Sequence, residues 1–228
     1  MRAYFDPAFA AVALTSLASP AAWAHYPHDP AAFVAVTPGP QQEWVLTSLF
    51  RNEAWIAARS IDDRNMEVYF INDQTDAFVT GGAMLSPSHV LLTTDSAGLW
   101  ESTDAGATWS ESTALGIDRD LRDIEVSLQV LEDGIAIVAG QGGLWRTEDG
   151  GESWAVVLDT EQEVWVDVDF SPSFSEDGRA CAVNEMGRVS CSSDGGLTWL
   201  DQADIASEAW SITVGPDGEI WLGLSTEG

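Results

Sequence analysis

The stretch SSDGGLTW, residues 192–199, decides how this chain is read. Two copies precede it: STDAGATW at residues 102–109 and TEDGGESW at residues 147–154. Their tryptophans, Trp109, Trp154 and Trp199, stand at intervals of 45 residues. A period of 20–50 residues is the mark of solenoids, propellers and arrays. The repeat is wider than the motif: GLWESTDAGATW (98–109) lies over GLWRTEDGGESW (143–154) and then RVSCSSDGGLTW (188–199). Ahead of the copies run short alternating apolar segments, HVLLTTD, GIAIVAG and RACAVNE. Ahead of those come further ones, DIEVSLQV, VWVDVDFS and AWSITVG, and a last short segment follows each motif, as in SWAVVLD (153–159). Runs rich in Val, Ile and Trp with period-two alternation read as strands. Four strands in about 45 residues predict an all-β chain, a β-propeller of four-stranded antiparallel blades. No helical period competes beyond the first 24 residues.

Within the motif each residue type has a structural task. Ser102, Thr147 and Ser192, with Asp104, Asp149 and Asp194, carry short polar side chains that bond nearby backbone N–H groups and hold a tight turn. Gly106, Gly151 and Gly196 supply positive φ. Trp109, Trp154 and Trp199 bury a large ring at the start of the outer strand. These residues read as a folding staple and not as a metal or catalytic set.

The S-x-D-x-G-x-T-W pattern on a hairpin resembles the Asp-box, or BNR, repeat of sialidases, sortilin-type receptors, xyloglucan-cleaving glycosidases and photosystem II assembly factors of the Ycf48 type. The resemblance covers about residue 33 to the end. It implies a propeller and does not choose among those functions. The expected layout is a signal peptide at 1–24 and a propeller at 25–228, with blades at about 31–73, 77–115, 121–160 and 163–203 and a partial blade at 208–228. The first blade is degenerate: SIDDRNME (60–67) keeps Ser60 and Asp62 but has Arg64 and Glu67 in place of Gly and Trp. The last unit matches the first two strands of a blade. About four and a half blades leave an open edge, so the ring is expected to be incomplete. The chain would then be the N-terminal part of a larger propeller, a truncated product, or a chain completed by a partner.

Charge excludes whole classes of function. The chain has 37 acidic residues against 9 basic ones, all arginine, for a net charge of −28. Such a surface does not neutralise phosphates, which excludes nucleic acid, and it is repelled by anionic membranes. The first residues read as an export signal: Arg2, then AFAAVALTSLASPAAWA, with Ala22-Trp23-Ala24 as the small-x-small cleavage site and Asp6 as an irregularity. No later run reaches the length of a spanning helix, so the mature protein is expected without membrane insertion. It would be periplasmic, on the outer surface, or extracellular. Cys181 and Cys191 flank a turn, and their even spacing of ten puts both on one hairpin face. In an oxidising compartment a cross-strand disulfide is expected, the alternative being two buried thiols.

Candidate chemistry is sparse. Asp167 and Asp169 alternate with Val in VDVDFS and share one side of an innermost strand. They are either a solvated channel lining or a glycosidase pair, which needs carboxylates about 5–10 Å apart. Trp165 and Trp210, 45 residues apart, either pack between blades or stack sugars. These four residues form the candidate ligand face. Arg51, Arg59 and Arg64 cluster, but HYPHDPAAF stands where a sialidase would carry its arginine motif. His25 and His28 would offer nitrogen ligands at a processed N-terminus, yet they read equally as a Pro-stiffened lead-in. No catalytic residue, metal ligand or cofactor is assigned. The function expected is an exported, non-enzymatic binding or scaffold propeller for a protein or glycan partner. The alternative is a secreted glycoside hydrolase, xyloglucanase- or sialidase-like, with part of its site elsewhere.

Overall fold

The computed structural model describes residues 34–38, 42–50, 53–60, 68–69, 77–86, 88–116 and 119–225. The 1–24 segment, His25, His28, Arg51, Arg64 and positions 61–67 of the degenerate copy lie outside them. The first sheet has the order β1 (Val34–Pro38), β2 (Gln42–Phe50), β3 (Glu53–Ser60), β4 (Val68–Tyr69). The second has the order β5 (Val79–Met84), β6 (Val90–Thr94), β7 (Leu99–Ser102), β8 (Ser110–Ser112). All their pairings are antiparallel. A six-stranded sheet follows, from β9 (Leu121–Val126) through β10 (Ala136–Thr147), β11 (Ala155–Phe170), β12 (Ala180–Asn184) and β13 (Arg188–Ser192) to β14 (Leu200–Asp204). The last sheet is the hairpin of β15 (Ala209–Val214) and β16 (Ile220–Leu224).

The six-stranded sheet is two four-segment units run together. In β10, residues 136–140 pair with β9, whereas residues 143–146 pair with residues 155–159 of β11. Residues 165–170 of β11 pair instead with β12. The bend in β10 falls at Gly142 and Gly143, with φ of 96° and 144°. A Cβ on Gly143 would lie 1.8 Å from the Leu158 carbonyl oxygen, so no side chain fits there. The bend in β11 falls at Glu161, whose φ is 52°.

The first segment of each unit lies beside its successor: β1 against β5, β5 against β9, β9 against β11, and β11 against β15. The second strands are covered on both faces. VLLTT in β6 and ACAVN in β12 are buried at every residue, while every residue of the outer strand β14 is exposed. Among the described residues three cores fill the spaces between sheets. One centres on Leu91, Leu99, Leu121, Ile124 and Trp145, the next on Ile137, Leu144, Trp165, Val168 and Trp199. The third gathers Val183, Val189, Ile212 and Val214 around Cys181 and Cys191. Those cysteines are register partners across β12 and β13, their Cα atoms 4.1 Å apart, and form a disulfide.

DIEVSLQV, expected to run as a strand, leaves the sheet after Val126. Among the described residues two single helical turns stand in equivalent connections, α1 (Val130–Asp133) and α2 (Phe174–Asp177). Ser127 Oγ donates to Asp133 at 2.6 Å and Ser171 Oγ to Asp177 at 2.7 Å. Gly134 and Gly178 close the turns in the left-handed conformation. The local hydroxyl–carboxylate pair competes with the ladder and ends the strand.

Candidate functional site

The three repeated turns are built alike. Ser102 Oγ donates to Asp104 at 2.9 Å and accepts from Gly106 N–H at 2.7 Å. Asp104 accepts from both the N–H and the hydroxyl of Thr108, and Trp109 Nε1 donates to the Gly106 carbonyl. Thr147, Asp149, Gly151, Ser153 and Trp154 repeat these contacts, as do Ser192, Asp194, Gly196, Thr198 and Trp199. Trp109 and Trp199 are buried and Trp154 is half-buried. Donation from Thr108 holds Asp104 below the usual carboxylate range, while Ser153 and Thr198 bring Asp149 and Asp194 to about 2. Each carboxylate is engaged by donors of its own turn.

The turns also tie units together. Ala105 N–H donates to Ser88 O, Gly150 N–H to Gly134 O, and Gly195 N–H to Gly178 O, which fixes each turn to another loop of its own unit. The buried Arg146 crosses between units and donates from Nε to Gly195 O at 2.8 Å. A Cβ on Gly196 would meet Ile137 at 2.8 Å, and one on Gly151 would meet Leu91 at 3.3 Å. Glycine is required here for close approach as well as for φ.

Asp167 and Asp169 do share one side of β11, and they point at the next unit. Asp167 accepts from Ile212 N–H at 2.7 Å and Asp169 from Val214 N–H at 2.8 Å, both on β15. Asp123 on β9 makes the same contact one unit earlier, accepting from Val168 N–H at 3.3 Å. Each bond spans 45 positions. An inner strand exposes unpaired N–H groups at its edge, and the preceding strand's carboxylates satisfy them. Val168 N–H is also shared: it donates to Asp167 Oδ1 at 3.0 Å as well as to Asp123 Oδ2, so the two carboxylates converge on one donor. Burial, then the Asp123 charge, pushes Asp167 up to about 9. Burial likewise raises Asp123, Glu125 and Asp169. Among the described residues no group of three or more His, Cys, Asp or Glu is placed to hold a metal ion.

Asp123 and Glu125 are the residues that sequence reasoning missed. The signal was present: D-x-E-x-S at 123–127 lies over D-x-D-x-S at 167–171 with an offset of 44, not 45. Four inner strands have a register shift near their start, at Val79/Gly81 in β5, opposite Ala139/Gly140 in β9, at Trp165/Asp167 in β11 and at Ala209/Ser211 in β15. In β15 the place of Trp165 is therefore held by Ala209, and Trp210 sits on the bulge. Trp165 is fully buried, donates to Thr160 Oγ1 at 3.1 Å and lies under the Arg188 guanidinium. Trp210 is 66% exposed, as is Trp221 on β16 at 68%. The four residues of the candidate ligand face do not converge on one site.

Among the described residues, open grooves lie along the ends of these sheets. One, of about 410 Å³, is lined by Arg119, Asp120, Gln141, Trp145, Asp159 and Glu161. Arg119 sits 5.0 Å above the Trp145 ring. The other, of about 670 Å³, is lined by Met186, Asp204, Ser207, Glu208 and Ser225. Both are built from the turns after second strands and the connections between units, at the strand ends opposite the repeated Ser/Thr–Asp–Gly–Trp turns.

No family model matches the chain, and no curated protein does. Solved structures do. A GH74 enzyme of Niastella koreensis is similar over 82% of this chain and 32% of its own, at 15% identity and a TM-score of 0.61. The YCF48 protein solved with a D1 peptide is similar over 86% and 60%, at 17% identity and a TM-score of 0.58. A chain of a nidogen/laminin complex is similar over 84% and 70%, at 11% identity and a TM-score of 0.57. The fold is that of a β-propeller. The chain spans about a third of the GH74 enzyme and 60% of the YCF48 chain.

Proposed function

We propose that this chain is an exported, non-enzymatic binding propeller built from Asp-box repeats, and that its ligand is a protein or a glycan. The observation that carries the reading is the fate of Asp167 and Asp169. Both carboxylates are spent on backbone N–H groups of β15. A glycosidase acid and base must instead face the scissile bond from opposite sides. The two grooves offer a binding face at the loop ends, away from the structural turns. The YCF48 structure contains a bound peptide, and nidogen is seen in a complex with laminin. These support protein recognition as the more direct use of the fold. Export rests on the 1–24 segment.

The second reading is a glycoside hydrolase. It is favoured by the likeness to GH74 enzymes and by the acid–acid pair Asp123/Asp167, one of whose members is held protonated near neutral pH. Turnover assays on xyloglucan and sialyl reporters separate the two. The binding reading expects no turnover from the wild-type chain. Hydrolysis that disappears in Asp167→Asn would overturn it.

A further inference from the structure

We propose that the seam joining β9, β11 and β15 is held closed by a proton shared between Asp123 and Asp167, so that these inner strands loosen as the surroundings turn alkaline. The geometry calls for the proton. Oxygens of both carboxylates crowd the single Val168 N–H, at 3.3 Å from Asp123 and 3.0 Å from Asp167. Two ionised carboxylates are acceptors only, and they pair with one another only when one is protonated. Asp123 is at the same time anchored to Val168 N–H and Asp167 to Ile212 N–H. The shared proton thus sits in an unbroken chain of contacts across three successive units.

Among the described residues nothing cationic compensates the pair. Glu125 on β9 and Asp169 on β11 add like charge on the same strands. From β5, Gly81 lies against Asp123, leaving room for the carboxyl but no partner charge. Opposite in register, β10 presents Ile137 and Ala139 to Glu125 and Asp123, and β12 presents Cys181 and Val183 to Asp169 and Asp167. From β15 come Ser211 and Thr213, at the places equivalent to Asp167 and Asp169. Arg122, beside Asp123 in sequence, is engaged with Asp120 at 2.7 Å. With no cation to hold a second negative charge, deprotonation leaves two half-buried anions in contact.

The sign follows from linkage. The pair is held above the ordinary aspartate value of 3.8, and Asp167 reaches about 9. The folded state keeps a proton that the unfolded state releases. The seam's contribution is complete below about pH 3.8 and declines as pH rises toward about 9.

Asparagine at 167 tests this, because its amide carries no titrating proton and keeps the two bonds at issue: Oδ1 accepts from Ile212 and Nδ2 donates to Asp123, while the Val168 N–H that Asp167 Oδ1 shared is left to Asp123. Thermal unfolding of wild type, Asp167→Asn and Asp167→Ala is followed from pH 5 to 9.5, with amide exchange at Ile212 and Val214. Wild type should lose stability with pH faster than Asp167→Asn. The ratio of their folding constants should move in favour of Asn by up to about tenfold per pH unit. Asp167→Ala, lacking both bonds, should be weaker throughout. Parallel wild-type and Asn profiles, or an Asn variant that behaves like Ala, would overturn the proposal. So would an equal flattening by Glu152→Gln, a surface change that tests general charge repulsion.

Discussion

At Asp194 one carboxylate collects the Thr198 N–H, the Thr198 hydroxyl and the Ser192 hydroxyl within a single turn. Every one of those donors favours the ionised form, which is why the group titrates at about 2. Stability from this lowered group is present above the unfolded value of 3.8 and lost as pH falls toward about 2. Thr198→Val should move the Asp194 titration back toward the ordinary carboxylate range, read by carboxyl-carbon NMR. The neighbouring Trp199 is a different kind of residue. Its ring is buried in the core with Ile137 and Trp165, and its N–H is satisfied by Gly196 O. Trp199→Ala should cost about 3–5 kcal/mol in urea unfolding, the scale of a truncated buried aromatic. A variant that unfolds at the wild-type midpoint would mean that the ring is not part of the core.

Strands and their junctions set the next scale. Arg146 reaches out of β10 to a carbonyl in the following unit, and its side chain is 9% exposed. Arg146→Ala leaves the Gly195 carbonyl without this donor. It should cost about 1.5–3 kcal/mol, the range for a hydrogen bond to a charged group, in the same urea measurement. Gly143→Ala should be worse than either, because the Leu158 carbonyl occupies the added methyl's place. Expression as an insoluble or molten chain is the expected readout. The repeated turns were legible in the sequence because the bonds of their Ser/Thr, Asp and Trp side chains close within eight residues, and three copies at one spacing expose them. The seam was not. The turn after the second strand is one residue longer in the later unit, so that the strands before it, and with them Asp123 and Asp167, repeat at an offset of 44 while the tryptophans after it keep 45. Alignment at 45 set Trp165 beside Trp210 and hid the carboxylates. The helical turns α1 and α2 were equally invisible, being decided by serine–aspartate bonds six residues apart and not by apolar period.

For the molecule as a whole, a net charge of −28 is spread over sheets whose cores are small and repeated. Self-repulsion of that size is screened by salt, since the Debye length falls from about 30 Å at 0.01 M to about 10 Å at 0.1 M. Melting temperature should therefore rise over that interval, and a flat response would show that the acidic groups are too dispersed to matter. Reduction of the Cys181–Cys191 bridge should lower stability by about 2–4 kcal/mol, measured by unfolding with and without reductant. The effect should centre on the unit from residue 163 onward, where the bridge adjoins Ile212 and Val214.

The carboxylate contacts have a direction. Side chains of an earlier unit always hold the backbone of the later one: Asp123 holds β11, then Asp167 and Asp169 hold β15. A chain emerging from the ribosome therefore lays down each clasp before the strand it must grip. The acids of a finished unit wait in water, where ionisation costs nothing, and are buried only when their amides arrive. Assembly in the reverse order would bury bare N–H groups first. The direction of these contacts favours assembly from the N-terminal side, each unit offering the acceptors that the next one needs.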